Sequence, residues 1–253
     1  MRQTKISIKI ITLFPDFINR YTHFGIIAKA LKNKLLKFTA INLRKFGLDA
    51  RGTVDDRPYG GGVGMVLRAD VLSRAIEAAR KLKVQSKKFR VRTILLTPSG
   101  KRFQQSDAKR LAKYDELIFV SGRYEGFDAR IEKFVDEELS IGDYILMGGE
   151  LPALVVTEAV IRLLPGVIGK IESTESESFA ERLLEYPQYT KPEMLEVRIK
   201  NKELGIKKMR VPKVLLTGHH GNIEKWRKEE AVKRTKKRRP DLLGNDNSNR
   251  NSK

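Results

Sequence analysis

The chain has 253 residues, 40% of them hydrophobic, which is long and apolar enough to bury a core in one large domain or two modest ones. Lysine and arginine number 51 against 31 aspartates and glutamates, and the net charge of +20 points to a polyanionic partner, most commonly nucleic acid. The absence of cysteine excludes disulfides, zinc ribbons, thiolate nucleophiles and iron–sulfur clusters, and the three histidines (His23, His219, His220) lack the spacing of a helical zinc site.

Ile6, Ile8 and Ile10 alternate with polar residues and lead into Ile11 and Leu13, which predicts a strand. The run ends at Phe14-Pro15-Asp16 without a small-residue cleavage site, so it reads as a strand and not as a signal peptide. No stretch of about 18 apolar residues occurs, and the expectation is a cytoplasmic protein with no membrane span. A short helix over 25–33 and a strand over 36–43 come next. Val71, Leu72, Ala75, Ile76 and Ala79 recur at helical spacing within 69–83. The β-branched run 91–96 predicts a strand ending at Thr97-Pro98-Ser99-Gly100. A helix over 104–113, a strand over 116–120 ending at Ser121-Gly122, and an apolar helix over 151–164 stopped by Pro165-Gly166 complete the series. This alternation predicts an α/β fold: a mostly parallel sheet with helices on both faces, and ligands beyond the carboxyl ends of the strands.

Composition changes near Gly169. Residues 169–178 are Ser/Thr/Glu-rich and read as a flexible interdomain linker. Residues 179–244 read as a small, basic, helical domain, with a helix over 223–239 carrying Trp226. Residues 245–253 are polar and Asn-rich and read as a disordered tail.

Three glycine-bearing segments stand out. Thr53-Val-Asp-Asp-Arg-Pro-Tyr-Gly-Gly-Gly-Val-Gly-Met65 carries four glycines within five residues, which lets backbone approach a flat ligand closely. It is either that or a surface turn; no Gly-Lys-Ser/Thr follows, so it is not a phosphate-binding P-loop. Ser121-Gly-Arg-Tyr-Glu-Gly126 follows a buried strand, and Ser140-Ile-Gly-Asp-Tyr-Ile-Leu-Met-Gly-Gly-Glu150 runs into the apolar helix. Each is weak alone; together they predict a pocket for a small nucleotide-derived cofactor. The basic C-terminal third predicts RNA or DNA as second substrate, through salt-dependent phosphate contacts. Trp226, Tyr186 and Tyr189 offer base stacking, or for Trp226 packing of its own helix. Glu158 and Arg162 sit at i, i+4, the spacing of an ion pair worth about 0.2–0.5 kcal/mol. Glu172, Glu175 and Glu177 read by default as solvated charges.

Read together, the segments resemble the bacterial tRNA (guanine-N1)-methyltransferases of the SPOUT class, whose catalytic domain ends in a trefoil knot. The matching stretches are Leu13-Phe-Pro, the Thr53–Gly62 loop with Gly64-Met65, Ser121–Gly126, Ser140–Leu146 with Gly148–Pro152, Pro165-Gly-Val, Ser178-Phe-Ala, Pro187–Pro192 and Val214-Leu-Leu-Thr-Gly-His-His. They run in order over nearly the whole chain. Nothing in periodicity or composition indicates a knot, and the general avoidance of threading argues against one.

The resemblance implies methyl transfer from S-adenosylmethionine to N1 of the guanine just 3′ of the tRNA anticodon (position 37), by a homodimer whose active site lies at the subunit interface, with Mg²⁺ dependence but no assignable metal ligand. It places the cofactor in a catalytic domain spanning 1–168. The positions implied for it are Leu95, Leu96, Thr97 and Pro98, then Gly122, Arg123, Tyr124 and Glu125, then Ile141, Gly142, Asp143, Tyr144, Ile145 and Leu146, with Gly148, Gly149 and Pro152. Candidate substrate contacts are Asp55, Tyr59, Gly60, Gly61 and Gly62 in the first loop and His220, Trp226 and Arg227 in the C-terminal helix. Guanine N1 carries a proton, so methylation needs a general base, and charge developing on O6 needs a cation or N–H donor. In the family a carboxylate and an arginine fill these roles. Arg162 matches the arginine, and Glu177 falls where the family usually has Asp, with Glu175 as fallback. The extra methylene predicts retained activity, although a shift of about 1 Å can cost about 10²-fold in rate. Residues 196–210 form a longer, more basic connection than usual, read as an insertion. Three rival readings remain: a SPOUT enzyme acting on rRNA or ribose 2′-OH, a non-catalytic RNA-binding protein, and, poorly, a nicotinamide oxidoreductase lacking the dinucleotide fingerprint.

Overall fold

The isoleucine-rich start forms β1 (Ile6–Thr12), whose burial is almost continuous, as expected of an inner strand covered on both faces. In the computed structural model, which describes residues 6–81, 89–168, 178–179, 182–201 and 203–244, the chain divides into two compact units, Met1–Ile171 and Glu172–Lys253. In the first unit β1 is followed by α1 (Pro15–Tyr21), α2 (Gly25–Lys32) and β2 (Leu36–Asn42). A small hairpin of β3 (Asp55–Asp56) and β4 (Val66–Leu67) then leads into α3 (Ala69–Lys81). Next come β5 (Val91–Arg102), α4 (Gln105–Leu111), β6 (Glu116–Ser121), β7 (Glu137–Ser140) and α5 (Glu150–Ile161). The sheet order is β2-β1-β6-β5-β7, and every pairing is parallel.

Alternation along the strands splits the core in two. Ile8, Ile10, Ile94, Leu96, Leu117 and Phe119 pack with residues of α1, α2, α4 and α5. Ile11, Leu95, Ile118 and Val120 pack with Val71, Leu72, Ala75, Ile76 and Ala79 of α3. The predicted α/β sheet with helices on both faces is therefore present.

Three elements depart from the expected layout. α1 occupies a stretch with no predicted helix; it is seven residues long, starts with Pro15 at a position that needs no N–H partner, and buries Ile18. β7 is acidic and short, yet it closes the sheet edge against β5. β5 does not stop at Thr97-Pro98; it shifts register between Leu96 and Lys101 and continues to Arg102. Gly100 permits this, because a Cβ there would stand 2.6 Å from the Leu139 amide nitrogen.

In the second unit, β8 (Met194–Asn201) and β9 (Glu203–Arg210) form an antiparallel hairpin over the stretch read as a basic insertion. It is followed by α6 (His220–Arg238), which buries Ala231 and Thr235. Linker positions 169–177, including Glu172, Glu175 and Glu177, and tail positions 245–253 lie outside the described residues.

One ion pair is buried within the sheet. Lys9 Nζ lies 2.7 Å from Glu116 Oε1 and also donates to the Ala79 carbonyl, tying β1 to β6 and to the end of α3. Removing one partner leaves an uncompensated buried charge. Lys9→Met is therefore expected to lower the unfolding free energy by about 3–5 kcal/mol in urea titrations, and Lys9→Met/Glu116→Leu to recover most of that loss.

Candidate active site

The carboxyl ends of β5, β6 and β7 open into a cavity of about 570 Å³. The structure brings nearly all the residues predicted for the cofactor to its wall: Leu95, Leu96, Thr97 and Pro98 from β5; Gly122, Arg123, Tyr124 and Glu125 after β6; Ile141, Gly142, Tyr144, Ile145, Leu146, Gly148, Gly149 and Pro152 after β7 and in α5. Asp143 is the exception; it is exposed, does not line the cavity, and pairs with Arg102. The wall also includes Phe127, Asp128, Ile131, Glu132 and Glu138, which the motif reading did not select. Phe127 and Asp128 directly follow the Ser121–Gly126 segment, so a reading extended by two residues finds them.

The glycines of the second and third segments exist to let these loops touch. The Gly149 amide donates to the Gly122 carbonyl at 2.9 Å. A Cβ on Gly149 would stand 2.8 Å from the Gly122 nitrogen, and one on Gly122 would stand 2.7 Å from the Phe127 ring. No side chain fits between backbones this close.

Beneath that contact lies a polar clasp. Arg123 Nε and Nη2 lie 3.0 and 2.9 Å from Glu150 Oε2, and Arg123 Nη1 donates to the Met147 carbonyl at 3.2 Å. Glu150 is buried at the first position of α5, where the helix dipole favours a carboxylate. Its other oxygen accepts from Thr12 Oγ1 at 2.8 Å, and Thr12 Oγ1 in turn accepts the Phe14 N–H at 2.9 Å. The Arg123 guanidinium sits 4.4 Å from the Phe14 ring centre, within cation–π range. Arg123 thus spends its hydrogen bonds on holding the loops in place. Beside the same contact, Ser121 Oγ is buried without a hydrogen-bond partner among the described residues.

The cavity is acidic in a strongly basic chain: Glu125, Asp128, Glu132 and Glu138 line it, with Arg123 the one cation among the described lining residues. The hydrogen bond from Arg130 holds the Asp128 carboxyl down at about 2, against the burial that would raise it, so the group is ionised at neutral pH. Among the described residues, no group of three or more His, Asp or Glu side chains is placed to hold a metal ion.

The first glycine loop stands next to this wall without lining it. Glu125 N donates to the Met65 carbonyl and Leu67 N to the Gly126 carbonyl, each at 3.0 Å. Asp55 lies in β3, whereas Tyr59 and Gly60–Gly62 are exposed at the tip, all three glycines with positive φ.

Arg162 is the C-terminal cap of α5. It lies ten positions beyond Pro152, the last lining residue of the helix, so at 1.5 Å per residue its backbone lies about 15 Å from the cavity wall of the same chain. Four residues earlier, the Glu158 carboxylate accepts the Tyr21 hydroxyl, which raises the Tyr21 pKa to about 12. In the second unit, Trp226 packs tilted on Tyr189 at 6.3 Å between ring centres, and the Arg227 guanidinium covers the Tyr186 ring at 4.8 Å. His220 is exposed at the first turn of α6.

A parallel α/β sheet whose three terminal loops meet around an acidic, glycine-framed cavity fits the SPOUT class of methyltransferases. The chain belongs to the tRNA (guanine-1)-methyltransferase TrmD family, whose sequence profile matches residues 6–245. It is 47% identical over 239 residues to the tRNA (guanine-N(1)-)-methyltransferase of Psychromonas ingrahamii, covering 94% of this chain and 92% of that one. It is 46% identical to the protein of the same name from Mycoplasmopsis agalactiae, over 94% and 97% of the two chains. The protein of that name from Thermus thermophilus is 45% identical over 92% and 90%. Among the described residues no helix is long and apolar enough to cross a membrane.

The glycine contact makes a stability ranking. Gly149→Ala is expected to cost about 1–3 kcal/mol through backbone displacement. At Gly61, where no atom lies within 4 Å of an added Cβ and φ is +80°, alanine is expected to cost only about 1–2 kcal/mol from the left-handed backbone. Denaturant unfolding of both variants reads the ranking, with Gly149→Ala the less stable.

Proposed function

We propose that this protein transfers a methyl group from S-adenosylmethionine to N1 of the guanine just 3′ of the anticodon, position 37 of tRNA. The observation that carries the reading is a cavity lined by all three terminal loops in a chain of this family.

The cavity suits the donor chemically. S-adenosylmethionine supplies an electrophilic methyl group on a positively charged sulfur. Leu95, Leu96, Ile141, Leu146 and Pro152 offer apolar wall for a purine and ribose. With Asp128 neutralised by Arg130, the lining carboxylates Glu125, Glu132 and Glu138 still favour a cation over an anion, the reverse of what a chain at +20 does elsewhere.

Glu177 takes the N1 proton as the ring nitrogen attacks, and Arg162 stabilises the negative charge that develops on O6. Arg162 stands about 15 Å along α5 from the cavity of its own chain, which supports completion of the site by a second subunit. The exposed apolar residues Phe17, Phe24, Leu151 and Val155 supply a surface for such a homodimer. In this reading 1–168 is the catalytic domain, 169–178 the linker and 179–244 the tRNA-binding domain. Asp55, Tyr59 and Gly60–Gly62 approach the target base, and His220, Trp226 and Arg227 meet RNA elsewhere. The enzyme works in the cytoplasm with tRNA. For the Mg²⁺ that the family resemblance implies, no group of three or more His, Asp or Glu side chains among the described residues is placed to hold it.

Radiolabelled methyl transfer to tRNA transcripts carrying guanine or adenine at position 37 tests the reading: label is expected with guanine alone, and label with both or neither contradicts it. In single turnover, Glu177→Gln is expected to slow transfer by about 10²–10⁴-fold. A wild-type rate for that variant would move the base elsewhere.

A further inference from the structure

We infer that the hollow between the 184–188 segment and α6 is a subsite for phosphodiester groups of the RNA backbone, an inference that rests on the tRNA reading above. The hollow, about 490 Å³, is lined by Tyr186, Gln188 and Glu185 on one side and by Arg234 and Arg238 on the other. The two arginines are one helical turn apart, so both guanidiniums serve the same face of α6.

Some cations of this region are paired: Lys228 with Glu224 at 3.1 Å, Lys233 with Glu230 at 3.1 Å, and Arg239, just past the helix, with Asp241 at 2.6 Å. Lys225, Lys236 and Lys237 share with the two arginines the lack of a carboxylate partner among the described residues, and what sets the arginines apart is that they line the hollow. Arg234 and Arg238 have no carboxylate partner among the described residues. The acid in the hollow, Glu185, accepts from the Gln188 amide at 2.6 Å.

The opposite wall is fixed. Leu184 N donates to Thr235 Oγ1 at 2.8 Å, from the helix position between the two arginines, and Glu185 N donates to Ser178 Oγ at 3.0 Å. Arg227 packs over the Tyr186 ring. Two guanidinium forks without a carboxylate partner among the described residues, at a fixed wall, match the charge and geometry of phosphate oxygens. Such contacts position RNA without reading its sequence.

The test compares wild type, Arg234→Gln/Arg238→Gln and Arg234→Lys/Arg238→Lys in filter binding to tRNA across a KCl series, with thermal melting and single-turnover methylation at saturating tRNA. The glutamine pair is expected to lose tRNA affinity by roughly 10-fold or more. The slope of log affinity against log salt should shrink by about 1.4–1.8, as for two lost phosphate contacts. The lysine pair should keep the wild-type slope with part of the affinity, and all three should melt alike and methylate alike once saturated. Wild-type affinity and slope in the glutamine pair would overturn the inference. So would equal losses in both pairs accompanied by lower melting temperatures, which would mark a packing role. Failure of the wild type to bind or methylate tRNA would overturn the functional reading, and the subsite with it.

Discussion

The structure depends on a backbone-to-backbone contact at the carboxyl end of its sheet. Gly122 and Gly149 belong to different loops, yet the amide of one reaches the carbonyl of the other. The separation leaves no room for a side chain on Gly149. Because the two loops close on each other, the cavity has a rim; because β5 runs on past its bulge, it has a third wall. The Arg123–Glu150–Thr12 clasp locks that arrangement from below, and its charges are spent on each other.

Electrostatics then divides the labour. The chain as a whole is strongly cationic, which suits a polyanion bound over a broad surface. The cavity runs the other way, with carboxylates outnumbering its one engaged arginine. In the proposed reading the cationic donor meets an acidic wall while the polyanionic acceptor meets basic surface outside it, so neither competes for the other's contacts.

Much of the sheet was legible because its signals are local. The alternation in β1, the β-branched run in β5 and the 3.6-residue spacing in α3 each need only a short window. α1 was not legible, since seven residues burying only Ile18 leave little periodicity. Pro98 and Gly100 read as a stop for β5, whereas the structure uses them in a bulge with β7. In the second unit, charge masked the strand alternation of Leu195, Val197 and Ile199, so a hairpin read as a connection. At the site, the glycines announced themselves, but the clasp did not: Thr12 and Glu150 are 138 residues apart, and only the fold joins them. Asp143 sits among lining residues in sequence yet turns to Arg102, because neighbouring residues in an irregular loop need not share a face.

The central claim is that the methyl donor is held where these loops meet. Backbone hydrogen–deuterium exchange, read with and without S-adenosylmethionine, locates that event directly. The account predicts new protection confined to segments 95–99, 122–128 and 141–149. Protection that spares these three segments and falls elsewhere in the chain would contradict it.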